Sequence, residues 1–146
     1  MNTVKSRLSK TIFGALNLHN SRFYWKKAER GVSLQFIQFL RQLRQSHRRK
    51  KLMIILDNGP IHRSKKVKAF IKKQDWVELF FLPPYSPEYN PIERFWQWLK
   101  QKVYGCKSFV AMEDLIQQIR KLIWHYQENR TVSKIHFNYK PYALLL

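Results

Sequence analysis

Two short apolar runs, LMIIL at 52–56 and VELFFL at 77–82, flank a lysine-rich stretch in which Val67, Phe70 and Ile71 recur at helical spacing from Ser64 onward. Strand, helix and strand in that order predict parallel strands joined by a crossover helix, and this constrains the fold more than any other feature of the chain. LMIIL is continuous rather than alternating, the pattern of a strand buried on both faces.

Upstream, TIFGALNL at 11–18 and RFYWK at 22–26 carry β-branched and aromatic residues on either side of the polar HNS, which predicts a hairpin. After the Gly31 breaker, Ser33 stands as a first-turn cap, and Leu34, Ile37, Phe39, Leu40 and Leu43 predict a helix to about Gln45. Downstream, PPYSPEYNP is too rich in proline for a helix or strand and reads as a rigid loop. It delivers a helix that starts near Pro91 with Asn90 as its cap and continues through Ile92, Phe95, Trp96, Leu99 and Val103. A last helix runs from Met112 to about Gln127, with Leu115, Ile116, Ile119, Leu122, Ile123 and Tyr126 as its buried stripe. The fold class is α/β. No repeat or linker divides the chain, so residues 1–146 are expected to form one domain, with its body at about 11–130 and a less regular tail at 131–146.

Lys and Arg number 28 against nine Asp and Glu, a formal net charge of +19. Such an excess favours a polyanionic partner, because phosphate contacts release condensed counterions. It names a partner class and no chemistry. Cys106 is the sole cysteine, which excludes an internal disulfide framework and a cysteine-rich zinc site and fits a reducing, cytoplasmic compartment. In TIFGALNLHN, Asn17, His19 and Asn20 break the apolar run after the basic MNTVKSRLSK, so no secretory signal is expected. No later apolar run approaches the roughly 18 to 20 residues of a membrane span, and no membrane partner is expected.

Two carboxylates stand at points where a fold aims side chains into a cleft. Asp57 closes an apolar strand, and ligands of open α/β sheets bind beyond the carboxyl ends of strands. Asp-Asn-Gly-Pro is also strong turn chemistry, and by local sequence alone an Asx-turn is the better account of Asp57. Glu93 falls in the first turn of its helix, where the helix dipole favours a carboxylate, but Pro83, Pro84, Pro87 and Pro91 are an unusual way to start an ordinary surface helix. A hard cation such as Mg²⁺ takes few protein carboxylates and fills its remaining positions with water and phosphate oxygens, so two such acids make a partial site. Trp96 and Lys100 share the helical face of Glu93; Trp96 suits core packing, and Lys100 suits DNA phosphate. Lys65, Lys66, Lys68, Lys72 and Lys73, with Arg48, Arg49, Lys50 and Lys51, suit either a phosphate-tracking surface or a solvated one.

The runs ILDNGPIHRS and FLPPYSPEYNPIERFWQWLK resemble the catalytic core of the DDE transposases of the Tc/mariner superfamily, in particular the bacterial insertion-sequence branch. The resemblance covers about Thr11 to Arg130, and the 35 residues between Asp57 and Glu93 are similar to that family's spacing between its second and third catalytic acids. It implies a ribonuclease H-like fold in which Asp57 and Glu93, with a further Asp, hold two Mg²⁺ or Mn²⁺ ions for DNA strand cleavage and strand transfer. It implies DNA partners, transposon ends and target, in a bacterial cytoplasm and on the nucleoid. Asn58 and His62 match positions beside the second acid, and Asn90 one just before the third; each is cleft-lining or simply structural.

In the family the first Asp lies on a strand before the segment resembling TIFGALNL, and a helix-turn-helix region precedes it. The chain is expected to lack both that first strand and that region. Glu29, in the turn KKAERG, is poorly placed to substitute. The expectation is therefore a transposase catalytic fragment inactive alone, completed by an upstream-encoded part through frameshifting or as a separate chain. The alternatives are a catalytically silent DNA-binding or dimerising remnant and a nuclease that recruits another acid such as Glu88. An exposed sheet edge would also permit a homodimer.

Overall fold

Thr11–Leu16 (β1) and Phe23–Ala28 (β2) pair antiparallel in the computed structural model, which describes residues 10–84, 90–105 and 111–129. The expected tail at 131–146, Cys106 and the Tyr85–Tyr89 part of the proline loop, with Pro87 and Glu88, lie outside the described residues. The hairpin turn closes where the Ser21 N–H donates to the Asn17 carbonyl at 2.8 Å, with Ser21 left-handed at φ 59°. The Asn17 side chain accepts the His19 N–H at 2.8 Å. This is Asx-type turn chemistry, which stabilises the reversal without a glycine.

Ser33–Ser46 forms α1. Its N-cap is Val32, with no side-chain cap, so the capping role expected of Ser33 is not made; the Ser33 hydroxyl donates instead to the Ser64 hydroxyl at 2.8 Å. Leu52–Leu56 (β3) and Val77–Phe81 (β4) pair in parallel, joined through Lys65–Lys72 (α2). Ser64 caps α2 by accepting the Val67 N–H at 3.3 Å. The strand LMIIL is not buried on both faces: Leu56 is buried and Ile54 packs toward the core, whereas Met53 is 63% exposed. Ile92–Tyr104 (α3) and Met112–Glu128 (α4) complete the order. The N-cap of α3 is Pro91, not Asn90, whose contribution is its backbone carbonyl, taking the Glu93 N–H at 3.0 Å.

The strands form two two-stranded sheets, β1–β2 and β3–β4, and both supply residues to one core. Phe13 and Ala28 from the hairpin, Phe36, Ile37, Phe39, Leu40 and Leu43 from α1, and Leu56, Val67 and Val77 from the parallel unit pack there. The opposite face of the hairpin carries Phe23 and Trp25 into a second core with Phe95 and Leu99 of α3 and Ile119, Ile123 and Tyr126 of α4. The hairpin is thus covered by helices on both faces, α1 on one and α3 with α4 on the other. Gly14 makes this approach feasible, because a Cβ there would lie 2.6 Å from both the Phe23 ring and the Trp96 indole. Trp96 packs as the sequence predicts. Among the described residues no helix is long and apolar enough to cross a membrane.

Candidate functional site at the ends of the parallel strands

The Leu82 N–H donates to the Leu56 carbonyl at 2.8 Å, carrying the parallel ladder one step beyond β4. Asn58 reinforces that step: its side-chain amide donates to the Leu82 carbonyl, tying the end of one strand to the end of the next. The Asn58 Oδ1 is buried and has no hydrogen-bond partner among the described residues.

Asp57 lies between these ties, its side chain 63% exposed. Its Oδ1 accepts the Gly59 N–H at 3.0 Å, so the Asx-turn expected of Asp-Asn-Gly-Pro is present. The same Oδ1 lies 2.9 Å from His62 Nδ1. A carboxylate only accepts, so this contact requires the proton on Nδ1. His62 is itself fixed, its backbone N–H donating to the Gly59 carbonyl at 3.0 Å and its ring set 4.7 Å from that of Phe36 in α1. The segment from 57 to 62 is therefore a closed turn around one carboxylate oxygen, with Asp57 Oδ2 outside these hydrogen bonds. A side chain at Gly59 would crowd that turn, since its Cβ would sit 3.1 Å from Asp57 Oδ1.

Glu93 belongs to a different element. It is half-buried in the first turn of α3, where the helix dipole favours its charge. What fixes it is the rest of α3: Phe95 is fully buried and Trp96 sits on Gly14 and Phe23 of the hairpin. Asn90 is half-buried just before the helix, and Lys100 is exposed two turns beyond Glu93. The structure thus brings Asp57, Asn58 and His62 together in one turn, and presents Glu93 and Lys100 from α3 with Asn90 just before it.

Among the described residues no group of three His, Cys, Asp or Glu is placed to hold a metal ion. Glu29, the one upstream acid, follows β2 and pairs with Lys10. The hydrogen bond from Lys10 and its charge hold the Glu29 carboxyl below the usual carboxylate range. Asp57 and Glu93 supply hard carboxylate oxygens, the donor type Mg²⁺ and Mn²⁺ prefer, so the two residues fit such an ion in kind.

Lys65 and Lys66 take a separate position. With Ser64 they line a shallow cavity where the N-termini of α1 and α2 meet, opposite Val32, Ser33 and Leu34. Neither acid lines it. Two features escaped sequence reasoning, the Ser33–Ser64 hydroxyl pair and the seating of His62 against Phe36 and the Asp57 carboxylate. The first joins residues 31 positions apart and leaves no periodic signal. The second was partly signalled by the Asp-Asn-Gly-Pro turn, which returns the chain within reach of Asp57.

Residues 2–116 match the family model described as DDE superfamily endonuclease. The chain is 32% identical over 102 residues to an insertion element IS630 uncharacterized 39 kDa protein of Shigella sonnei, covering 69% of this chain and 28% of that protein. It is 33% identical over 69 residues to the transposable element Tcb2 transposase of Caenorhabditis briggsae, covering 46% of this chain and 25% of that one. It therefore spans about a quarter of the length of these two curated relatives. Among solved structures, a chain of a simian T-cell lymphotropic virus intasome in complex with PP2A regulatory subunit B56 gamma superposes with a TM-score of 0.55. The match has 16% identity and covers 89% of this chain and 52% of that one. The mixed α/β fold is of the ribonuclease H-like DDE type, as the sequence predicts.

Proposed function

Because the chain belongs to the DDE superfamily endonucleases, of the transposase type found in Tc/mariner and IS630 elements, we propose that it is the catalytic-domain portion of a transposase. Members of the superfamily generally use divalent metal ions, and transposases and integrases bind DNA. In this reading the chain contributes to metal-dependent DNA strand cleavage and strand transfer, with Asp57 and Glu93 as two of the metal-holding carboxylates. The observation that carries it is Asp57 at the carboxyl end of a parallel strand, one oxygen fixed by Gly59 and His62 and the other left for a ligand.

Bound Mg²⁺ or Mn²⁺, two ions in a complete site, would supply an activated water and charge neutralisation at the leaving oxygen. The chain's own residues do the rest. Asp57 and Glu93 orient their carboxylates from two independently anchored elements, and Asn58 holds the strand ends in register beneath them. Lys65, Lys66 and Lys100 contact backbone phosphate and hold the strand against the site. No third acid stands with them among the described residues, and a chain carrying the family's N-terminal part is the partner this reading calls for. The single domain expected of residues 1–146 is retained in this proposal. The second reading is a catalytically silent DNA-binding or dimerising remnant.

Nicking of supercoiled DNA in Mg²⁺ and Mn²⁺ by the 146-residue chain, beside Asp57→Ala and Glu93→Ala, tests the proposal. DNA binding without nicking by the chain alone, and nicking once the upstream part is added, lost in both variants, is the expected result. Nicking by the chain alone, abolished by either substitution, would mean that its own residues include the third ligand. Failure to nick when the upstream part is present would favour the remnant.

A further inference from the structure

We propose that His62 is a positioning residue for Asp57, fixing the plane of its carboxylate so that Oδ2 is presented to a divalent cation; the inference rests on the metal reading above. An aspartate with a 63% exposed side chain has a soft terminal torsion and, left alone, samples many orientations. Here one oxygen is held from two directions, by the Gly59 N–H at 3.0 Å and by His62 Nδ1 at 2.9 Å. A backbone donor two residues away fixes the distance to Oδ1 but leaves the carboxylate free to pivot about that contact. A second donor on the same oxygen removes the pivot.

The histidine can do this because it is more constrained than the acid it holds. Its side chain is 23% exposed, its ring packs 4.7 Å from Phe36 at an interplanar angle of 47°, and its backbone N–H is tied to Gly59. Phe36 is a buried member of the α1 core, so the orientation of Asp57 is referred through His62 to the interior. Gly59 completes the device, since a Cβ there would lie 3.1 Å from Asp57 Oδ1 and 3.4 Å from His62 Nδ1. Residues that hydrogen-bond a metal-binding group commonly set its affinity and orientation as strongly as this geometry requires.

Two substitutions separate donor from packing. His62→Asn keeps an N–H where Nδ1 stood and gives up the ring; His62→Phe keeps a ring against Phe36 and gives up the donor. Mn²⁺ alone is the probe, titrated into the full chain and followed by relaxation enhancement, with Asp57→Asn as reference. The expected result is Mn²⁺ affinity weakened about tenfold or more in His62→Phe and by clearly less in His62→Asn, which keeps the donor but not the ring's anchorage on Phe36. A His62→Phe chain that is folded and binds Mn²⁺ like wild type overturns the inference while leaving Asp57 a ligand. Binding unchanged in Asp57→Asn would overturn the metal reading itself, and with it the role of His62 toward the ion. Independently of metal, ¹⁵N spectra of the wild-type imidazole are expected to show the Nδ1–H tautomer, and an Nε2–H tautomer would remove the hydrogen bond on which the inference stands.

Discussion

Phe95→Ala is expected to destabilise the fold by about 3–5 kcal/mol, the cost typical of deleting a fully buried aromatic ring. Phe95 is 0% exposed and stacks on Phe23 with ring centroids 3.8 Å apart. Tyr126 of α4 meets its edge at 5.0 Å, and Trp98 lies at 5.5 Å. The cavity opened there would be walled by rigid rings from the hairpin, α3 and α4, which cannot collapse into it without moving backbone. The loss would lower the melting temperature by roughly 10 °C or more for a chain of this length. Glu93 would suffer with it, because Phe95 lies two residues along the helix that carries the acid. Trp124, 65% exposed on α4, is the control: Trp124→Ala should change stability by no more than about 0.5 kcal/mol. Thermal unfolding of the two variants side by side checks both numbers.

DNA affinity should fall by a factor of about 10³–10⁵ between 50 and 200 mM salt, the dependence of a protein that neutralises six to ten phosphates. The formal charge of +19 makes that number of contacts available. Lys65, Lys66, Lys68, Lys72 and Lys73 are exposed on and just beyond α2, and Arg48, Arg49, Lys50 and Lys51 are exposed in the turn leading to β3. Of these, Lys51 faces Glu78 at 3.3 Å, an exposed pair of little strength that phosphate would readily replace. Replacing Lys65 and Lys66 together with Gln should reduce the salt slope by about two, without changing preference among DNA sequences. Fluorescence anisotropy with one duplex across a salt series measures the slope. A slope near zero would mean that the charge serves something other than DNA phosphate.

What the sequence made legible follows from which signals are local. The βαβ unit could be read from two apolar runs around an amphipathic stretch, because strand and helix periods differ and the crossover fixes parallel pairing. The hairpin could be read from its composition and its polar turn. The burial of LMIIL could not, since a continuous apolar run is the same whether one face or both are covered; Met53 is exposed because no described element packs over it as the cores pack over Leu56. In the sequence Ser33 and Asn90 read as helix caps. The boundary fell one residue earlier at Val32 and one later at Pro91, within the usual play of helix ends, and the Ser33 hydroxyl found Ser64 instead.

The acids were legible through their positions at a strand end and a helix start and through the motif around them. The local chemistry of Asp57 was only half legible. Its turn followed from Asp-Asn-Gly-Pro, but the restraint of His62 depends on Phe36, which reaches the site only because α1 packs on the parallel unit. Long-range packing of that kind has no period in the sequence.

The central claim is that Asp57 and Glu93, anchored on β3 and α3, hold a common divalent cation. Paramagnetic broadening of backbone amide signals by substoichiometric Mn²⁺ tests it directly, because the effect falls so steeply with distance that only residues beside the ion respond. Simultaneous loss of signal at Asp57–Gly59 and at Ile92–Arg94 is expected, abolished at both places by either Asp57→Asn or Glu93→Gln. Broadening at one acid alone, or broadening that survives both substitutions, would contradict it.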